Sequence, residues 1–412
     1  MAMSEETWKA GLEDVVAARS GITTIDGAAG RLYYRGYEIA DVVEHLSFEE
    51  ATALLWFGDV PTAGEAEAFR ARLAATRGLP APVVAALRTL PRDCHPLDAL
   101  RTGVSAAAAH DPDVRGSDRD ANLRKACRLM TLVPEIVGAW HRLRTGRESV
   151  SGRVDLGRES GAPLGRESGA PLGRESGAPL GHAAYVLYLL EGREPTPDVA
   201  RVLDVALTLH ADHELNASTF AARVAVATLA DLHAAVVAAI ATLKGPRHGG
   251  ANEDVLSMFH EIADPAKAEA FVAVRLDTRG SLSRAERANP RARMPGFGHR
   301  VYRVDDARAR VLRGLARRMA DATGRERLFA VAEGVYGAMK ARTGLPVNVD
   351  FFSAVVYDAL GIAPDLCTSI FAIGRISGWC AHALEQFADN RLIRPRADYL
   401  GPSPRKLAPV PA

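Results

Sequence analysis

The sequence has little of several features that mark whole classes of protein. Its formal net charge is only +1, with 51 basic against 50 acidic residues among 412, so it carries no electrostatic footprint for binding nucleic acid. Cysteine is scarce, and the four residues show no metal-binding or redox spacing, which suits a reducing compartment. They are Cys94, Cys127, Cys367 and Cys380.

Long hydrophobic runs are also absent. The longest largely apolar run, Ala234 to Leu243, is far shorter than the ~20 residues needed to cross a bilayer. The N-terminus carries Glu5 and Glu6 and no apolar signal segment. We therefore expect a cytoplasmic protein that binds neither a membrane nor nucleic acid.

The secondary-structure pattern is helical almost throughout. Capping boxes such as Ser47 to Glu50 open segments with apolar stripes at helical spacing. One stretch, Ile22 to Tyr37 with a turn at Asp26-Gly27, resembles a β-hairpin. With 48% apolar residues to build a large core, the chain is predicted to be all-α, and its length suggests about two or three domains.

Two segments interrupt the helical pattern. Leu156 to Pro179 holds three copies of Leu-Gly-Arg-Glu-Ser-Gly-Ala-Pro, which is too rich in Gly, Ser and Pro to build a core. We expect an exposed loop over about 156–180, and its opposing charges argue against a binding arm. The second segment, Arg279 to Pro295, is arginine-rich and fits either a lid or a solvated loop.

The segment most suggestive of chemistry is Gly296-Phe-Gly-His299-Arg-Val-Tyr-Arg303. Glycine lets the main chain approach a ligand closely, and arginine binds carboxylates or phosphates through two bonds at a time. Together with His299, the segment predicts a site for a small polyanion with a proton donor beside it. Gly296 and Gly298 alone are a weak phosphate-loop signal.

Two further titratable residues stand where helices are predicted to begin. His248 precedes a helix with Asn252 as its predicted N-cap, and the positive helix end would favour a neutral imidazole that donates one hydrogen bond. A turn histidine without a role is the alternative. Asp350 precedes an apolar helical face and is either a helix cap or a carboxylate base placed against an apolar wall.

A metal site is a weaker interpretation of His210 and His213. Their spacing with acidic neighbours can resemble a metal pair, but no third ligand lies nearby in the sequence, so we expect no metal.

The order of these motifs resembles that of citrate synthases from about residue 10 to 402. The matching motifs are Ile25-Asp26-Gly27 with Tyr34-Arg35-Gly36-Tyr37, His210-Ala-Asp-His213-Glu-Leu-Asn216-Ala-Ser-Thr219, Gly245-Pro-Arg-His248-Gly-Gly-Ala-Asn252, Gly296-Phe-Gly-His299-Arg-Val-Tyr302, Asn348-Val-Asp350-Phe, Arg375-x-x-Gly-Trp379-x-x-His382 and Arg394-Pro-Arg396-x-x-Tyr399. The short bacterial form is expected, because there is no room before Asp26 for the extra domain of the long form.

The resemblance implies a reaction and three catalytic roles. Asp350 would remove a methyl proton from acetyl-CoA, His248 would hydrogen-bond the thioester oxygen, and His299 would donate to the carbonyl of oxaloacetate. A thioester methyl is a poor acid, so the developing charge must meet a placed donor in a dry site.

Binding roles follow from the same resemblance. Oxaloacetate would contact His213, Arg308, Arg375 and, across a subunit boundary, Arg394. Coenzyme A would contact Arg303, Gly296, Gly298 and Lys340 or Arg342. Acetyl-CoA is then a co-substrate, and no permanently bound cofactor is expected.

The implied architecture is a homodimer of two-domain subunits. A large domain would comprise residues 1–250 and 363–412, and a small domain residues 251–362. Two departures from the family pattern are Arg247 beside His248 and Ala307 before Arg308. A 2-methylcitrate synthase using propionyl-CoA, or a non-catalytic protein that binds CoA or a dicarboxylate, remains an alternative.

Overall fold

The structure is a computed structural model that describes residues 9–13, 15–150, 179–249, 251–281, 293–403 and 405–406. Nearly all of the octapeptide repeat and most of the second irregular segment lie outside these residues. The expectations for both loops therefore stay predictions.

The described part of the chain contains sixteen α-helices and one small sheet. The strands β1 Thr23–Asp26, β2 Arg31–Tyr34 and β3 Tyr37–Glu38 pair antiparallel in that order. The helices are α1 Ile39–His45, α2 Phe48–Phe57, α3 Ala63–Ala75, α4 Ala81–Arg88, α5 Pro96–Ala108, α6 Arg119–Arg144, α7 His182–Glu191, α8 Pro197–His210, α9 Ala217–Ala227, α10 Leu232–Leu243, α11 Ala251–Ile262, α12 Ala268–Ser281, α13 Ala307–Thr323, α14 Glu326–Thr343, α15 Val349–Ala359 and α16 Cys367–Ala388.

Local sequence explains several helix boundaries. Ser47 and Glu50 form the predicted capping box at the start of α2, with each side chain bonding the other residue's main-chain N–H. At the other end, Gly58 takes the left-handed conformation, with φ 102°, that commonly ends helices. The all-α prediction and the N-terminal hairpin are both confirmed.

The helices pack around one long buried element. Helix α16 is buried along most of its length and contacts α2, α6, α8, α9 and α10. A second set, α11, α13, α14 and α15, packs mainly within itself and touches the first set through α11 on α16 and α13 on α8. Helix α13 also contacts α1 and β2. In the described residues, no helix is both long and apolar enough to span a membrane.

Two main-chain segments of the second set are joined side by side, and we call this pairing the strap. Segment 296–298 bonds to segment 346–348 through the amide of Gly298 on Pro346 O (2.8 Å) and the amide of Asn348 on Gly296 O (3.0 Å). Phe297 and Val347 form an antiparallel bridge between them. The strap thereby fixes the position of His299, directly after the first segment, and the start of α15, directly after the second.

Close approach explains why the strap carries glycine. Gly296 has φ +80°, and a Cβ there would lie 2.6 Å from Cδ2 of Phe351 and 2.9 Å from its Cβ. Gly298 has a similar φ of +85°, but nothing lies within 4 Å of its Cβ position. An alanine at either position would suffer backbone strain, but only an alanine at Gly296 would also overlap its neighbours.

We expect Gly296→Ala to destabilise the protein more than Gly298→Ala. Both substitutions put a side chain in the left-handed region, at a cost of roughly 1–2 kcal/mol each. Only Gly296→Ala adds overpacking against Phe351, typically about 1–3 kcal/mol more. Urea unfolding of both variants measures the difference, and equal losses would contradict the close approach at Gly296.

Candidate active site

The candidate site forms where five parts of the chain meet. These are the turn after α8, the turn between α10 and α11, the segment from 296 to the start of α13, the first turn of α15 and the middle of α16. The predicted residues His213, His248, His299, Asp350 and Arg375 come from these five parts, in that order.

Two of the histidines and a tyrosine pack against one another with their rings edge-on or tilted. The ring centroids of His213 and His299 are 5.2 Å apart, and those of His299 and Tyr302 are 4.7 Å apart. Nε2 of His213 is buried and has no partner among the described residues. An unsatisfied buried nitrogen is costly, so its presence indicates a polar ligand at this point.

Main-chain donors fix the tautomer of His299. Its Nδ1 accepts hydrogen bonds from the amides of Val301 (3.0 Å) and Tyr302 (3.1 Å). Burial lowers the pKa of His299 to about 4, which the nearby Asp306 opposes and Arg308 assists. The ring is therefore neutral, its proton is on Nε2, and that nitrogen is available as a donor.

His248 is held in the opposite tautomer. Its Nε2 accepts the amide N–H of Ser218 (3.3 Å) and lies 2.8 Å from Oγ of the same residue. That hydroxyl can donate to Nε2 or to Oδ1 of Asn216 (2.8 Å), and it accepts from Nε1 of Trp379 (3.1 Å). An amide can only donate, so the proton of the neutral ring is on Nδ1. Burial, assisted by Arg375, lowers the pKa of His248 to about 4. The predicted neutral form therefore rests on burial and a guanidinium, rather than on the helix end proposed from the sequence.

Asp350 lies in the first turn of α15, but it is not the cap. Asn348 is the N-cap, and its Oδ1 accepts the amide of Asp350 at 3.1 Å. Burial raises the pKa of Asp350 to about 7, although Arg308 and Arg375 pull it down. A carboxyl group that titrates near neutrality is suited to act as a general base.

The prediction that Asn252 caps α11 is wrong. Helix α11 already includes Ala251, and the Nδ2 group of Asn252 donates to Oδ1 of Asp350 at 2.6 Å. Both side chains are buried.

Two buried guanidiniums complete the pocket. Arg308 binds Asp306 through two bonds, Nε to Oδ1 (3.0 Å) and Nη2 to Oδ2 (2.7 Å). Nε of Arg375 donates to the carbonyl of His210 (2.6 Å), and burial lowers its pKa to about 10. Within the described residues Arg375 has no ion pair with a carboxylate. Arg375 is therefore a buried cation without a paired anion, and such a cation favours an anionic ligand.

Electrostatic coupling shows that these groups share one space. His213 has its pKa held well below the ordinary value by burial, then by Arg308, His299, Arg375 and His248. Since a charge perturbs only groups near it, both imidazoles and both guanidiniums lie in the neighbourhood of His213.

The arrangement is poorly suited to a metal. One ligand atom each from His213, His299 and Asp306 lie within 4.8 Å of one another, while His210 is not in this group and bonds the carbonyl of Ala206 instead. Nδ1 of His299 is occupied by two amides, so Nε2 keeps its proton, and the carboxylate of Asp306 already binds Arg308. The donor set therefore favours an anion over a cation.

The other predicted binding side chains are exposed or have other partners. Arg303 and Arg394 are exposed, Arg394 on the irregular segment after α16. Lys340 binds Asp305 (2.9 Å) and Arg342 binds Glu269 (3.3 Å). Their proposed roles with coenzyme A or substrate stay predictions.

Sequence reasoning missed four contributors: Ser218, Asn252, Tyr302 and Asp306. The signal for Asp306 was present, as an acid two residues before a predicted binding arginine. The contacts of Ser218 and Asn252 cross 30 and 98 residues of sequence, and no local pattern reveals them.

Comparisons with known proteins fit this geometry. Residues 11–396 match the family model described as citrate synthase, C-terminal domain. Citrate synthase 2 of Bacillus subtilis is 40% identical over 401 residues, which cover 97% of this chain and 98% of that protein. This chain belongs to the citrate synthase family.

Other members of the family show its range. The 2-methylcitrate synthase of Shewanella oneidensis is 35% identical, with 97% of each chain covered. The crystal structure of citrate synthase from Pyrobaculum aerophilum is similar with a TM-score of 0.83 at 36% identity, covering 97% of this chain and 94% of that one. A ternary complex of the Thermoplasma acidophilum citrate synthase with carboxymethyl coenzyme A and oxaloacetate has a TM-score of 0.81 at 31% identity, covering 97% and 98%.

Proposed function

We propose that this chain condenses acetyl-CoA with oxaloacetate and water to give citrate and CoA. One observation carries the proposal: a buried carboxyl group with a raised pKa lies among the same guanidiniums as two imidazoles that are held neutral with defined donor atoms. This set supplies a base, two hydrogen-bond donors and a dicarboxylate site.

The first step is proton removal from the methyl group of acetyl-CoA. The Asp350 carboxylate takes the proton, and the electron pair of the C–H bond moves toward the thioester oxygen. The Nδ1–H of His248 donates to that oxygen as negative charge develops on it. Because the donor is neutral and already oriented by Ser218, little reorganisation is needed in the transition state.

The second step forms the carbon–carbon bond. The enolate carbon attacks the keto carbon of oxaloacetate, while the Nε2–H of His299 donates to the keto oxygen as it gains charge. That oxygen takes up one proton and becomes the hydroxyl of citryl-CoA, which balances the proton released from the methyl group to Asp350. Arg308 and Arg375 bind the carboxylates, and the partner subunit's Arg394 adds a third guanidinium. Water then attacks the thioester carbon of citryl-CoA, the C–S bond breaks, and the thiolate leaves with a proton as CoA.

The proposed architecture serves these steps. A small domain of residues 251–362 would carry the strap, His299 and Asp350, and a large domain of residues 1–250 and 363–412 would carry His248 and Arg375. Closure on oxaloacetate before acetyl-CoA reacts would keep water out. A homodimer is supported by the exposed segment that carries Arg394. At the entrance, Arg303, Lys340 and Arg342 are the proposed phosphate contacts, and Gly296 and Gly298 would line the approach for coenzyme A.

A 2-methylcitrate synthase is the second candidate, because such enzymes are among the relatives at 33–35% identity over nearly the whole chain. A non-catalytic binding protein is disfavoured because all three catalytic positions are filled and polarised for chemistry.

The base role of Asp350 predicts a particular pH profile. Because only the ionised carboxylate can accept the proton, kcat/KM should fall about tenfold per unit as pH drops below about 7, where burial places the pKa. His248 and His299 are already neutral over this range, so they add no second limb until about pH 4. Thiol release is the measurement.

Asp350→Asn is the matched variant, since it keeps the size and shape of the side chain but removes the base. We expect about 10²–10⁴-fold lower kcat with the acid limb near pH 7 abolished. Unchanged turnover in this variant would remove the base from the mechanism.

The choice of acyl group is tested by comparing kcat/KM for acetyl-CoA and propionyl-CoA. We expect a preference for acetyl-CoA, within the roughly 10- to 200-fold range that one methylene provides. Faster turnover with propionyl-CoA would instead assign the 2-methylcitrate reaction.

A further inference from the structure

One buried side chain contacts the base directly and has no part in the reaction described above. Asn252, on α11, is fully buried, and its Nδ2 group donates to Oδ1 of Asp350 at 2.6 Å. Helices α11 and α15 pack against each other, so the contact joins two elements of the same helical set.

The orientation of the amide is fixed by a second bond. Ser353, one turn after Asp350 on α15, donates its hydroxyl to Oδ1 of Asn252 at 2.7 Å. In the ionised form that acts as the base, the Asp350 carboxylate can only accept, so the amide then directs its NH₂ group toward Asp350 and its oxygen toward Ser353. Ser353, Asn252 and Asp350 therefore form a directed chain that ends on one carboxylate oxygen.

We propose that Asn252 is a positioning residue that occupies Oδ1 of Asp350, leaves Oδ2 to take the methyl proton, and favours the ionised carboxylate. This inference rests on the proposed function. A carboxylate has two nearly equivalent oxygens, and a base that can rotate loses the alignment with the C–H bond that proton transfer needs. Holding one oxygen removes that freedom.

The charged surroundings of Asp350 show why such a donor matters. Arg308 and Asp306 approach it from the start of α13, Arg375 from α16, and Tyr357 lies further along α15. Arg308 and Arg375 favour the ionised form, but Asp306 and burial oppose them and prevail. A hydrogen bond donated to the carboxylate stabilises the ionised form of Asp350, so the loss of this bond should make Asp350 harder to ionise.

The test is Asn252→Ala, assayed with acetyl-CoA and with its methyl-trideuterated form. We expect kcat to fall on the order of 10- to 100-fold near pH 7, the typical effect of losing a bond to a charged group. The KM for oxaloacetate should stay within about twofold, because no contact with that substrate is lost.

Two readouts separate positioning from general damage. The deuterium isotope effect on kcat should increase, because proton removal becomes slower relative to the other steps. The acid limb of the pH profile should move to higher pH, so the loss of activity should be smaller near pH 9 than near pH 7.

A second variant covers the case in which Asn252→Ala fails to fold. Asn252→Asp keeps the shape and the acceptor for Ser353 but places a second carboxyl beside Asp350. Two adjacent carboxyls share a proton, so the acid limb should move up further than in the alanine variant. A limb that stays at its wild-type position in the soluble variant would overturn the proposal.

The matched control is Asn122→Ala, which removes another buried asparagine inside a helix, one that bonds the carbonyl of Ser117. It should lower the melting temperature without altering the isotope effect or the pH profile. If Asn252→Ala behaves like this control, its role is structural and the inference fails. Absence of thiol release in the wild-type protein would instead overturn the proposed function itself.

Discussion

The site depends on main-chain pairing between two segments that are about 50 residues apart. The strap joins 296–298 to 346–348 through backbone bonds that do not depend on side-chain identity. Two further bonds continue the pairing beyond the strap. The amide of Asp306 donates to the carbonyl of Val347 (3.1 Å), and the amide of Val347 donates to the side-chain Oδ1 of Asp305 (3.0 Å). The donor His299, the binding residue Arg308 and the base Asp350 therefore belong to one rigid unit.

Electrostatics then assigns each group its state. Burial disfavours every charge, so the two imidazoles lose theirs and the carboxyl of Asp350 retains its proton up to about pH 7. The guanidinium of Arg308 keeps its charge because Asp306 outweighs the burial that would lower its pKa. Neutral donors, a near-neutral base and fixed cations are what enolate chemistry on an anionic substrate requires. The exclusion of water sets the protonation states of the imidazoles and of the Asp350 carboxyl, while the Asp306 carboxylate preserves the charge of Arg308.

Much of this could be predicted from the sequence, for reasons that differ between elements. The capping box at Ser47 and the hairpin near Asp26 depend on local chemistry, which a short window contains. The candidate residues His248, His299 and Asp350 came from motifs whose order matches a family. Their geometry did not follow from any local rule, because it depends on the strap.

The incorrect helix cap and the contacts that the sequence did not predict share a cause. Asn252 and Asp350 were each considered as helix caps, since a polar residue before an apolar stripe favours that interpretation. In the structure Asn348 caps α15, and the side chains of Asn252 and Asp350 bond each other. Likewise, Lys340 has an acidic partner in Asp305, and the sequence gives no indication that a loop will bring the two together. Local sequence patterns do not predict which polar groups will pair when they lie far apart in the chain.

The central claim is that a carboxylate and two neutral imidazoles converge on one reacting centre between guanidiniums. A crystal structure of the protein with oxaloacetate and carboxymethyl coenzyme A tests it most directly. The account predicts the oxaloacetate carboxylates on Arg308 and Arg375, its keto oxygen on Nε2 of His299, and the carboxymethyl group between Nδ1 of His248 and Oδ2 of Asp350. Ligands bound elsewhere, or a carboxymethyl group out of reach of both His248 and Asp350, would contradict it.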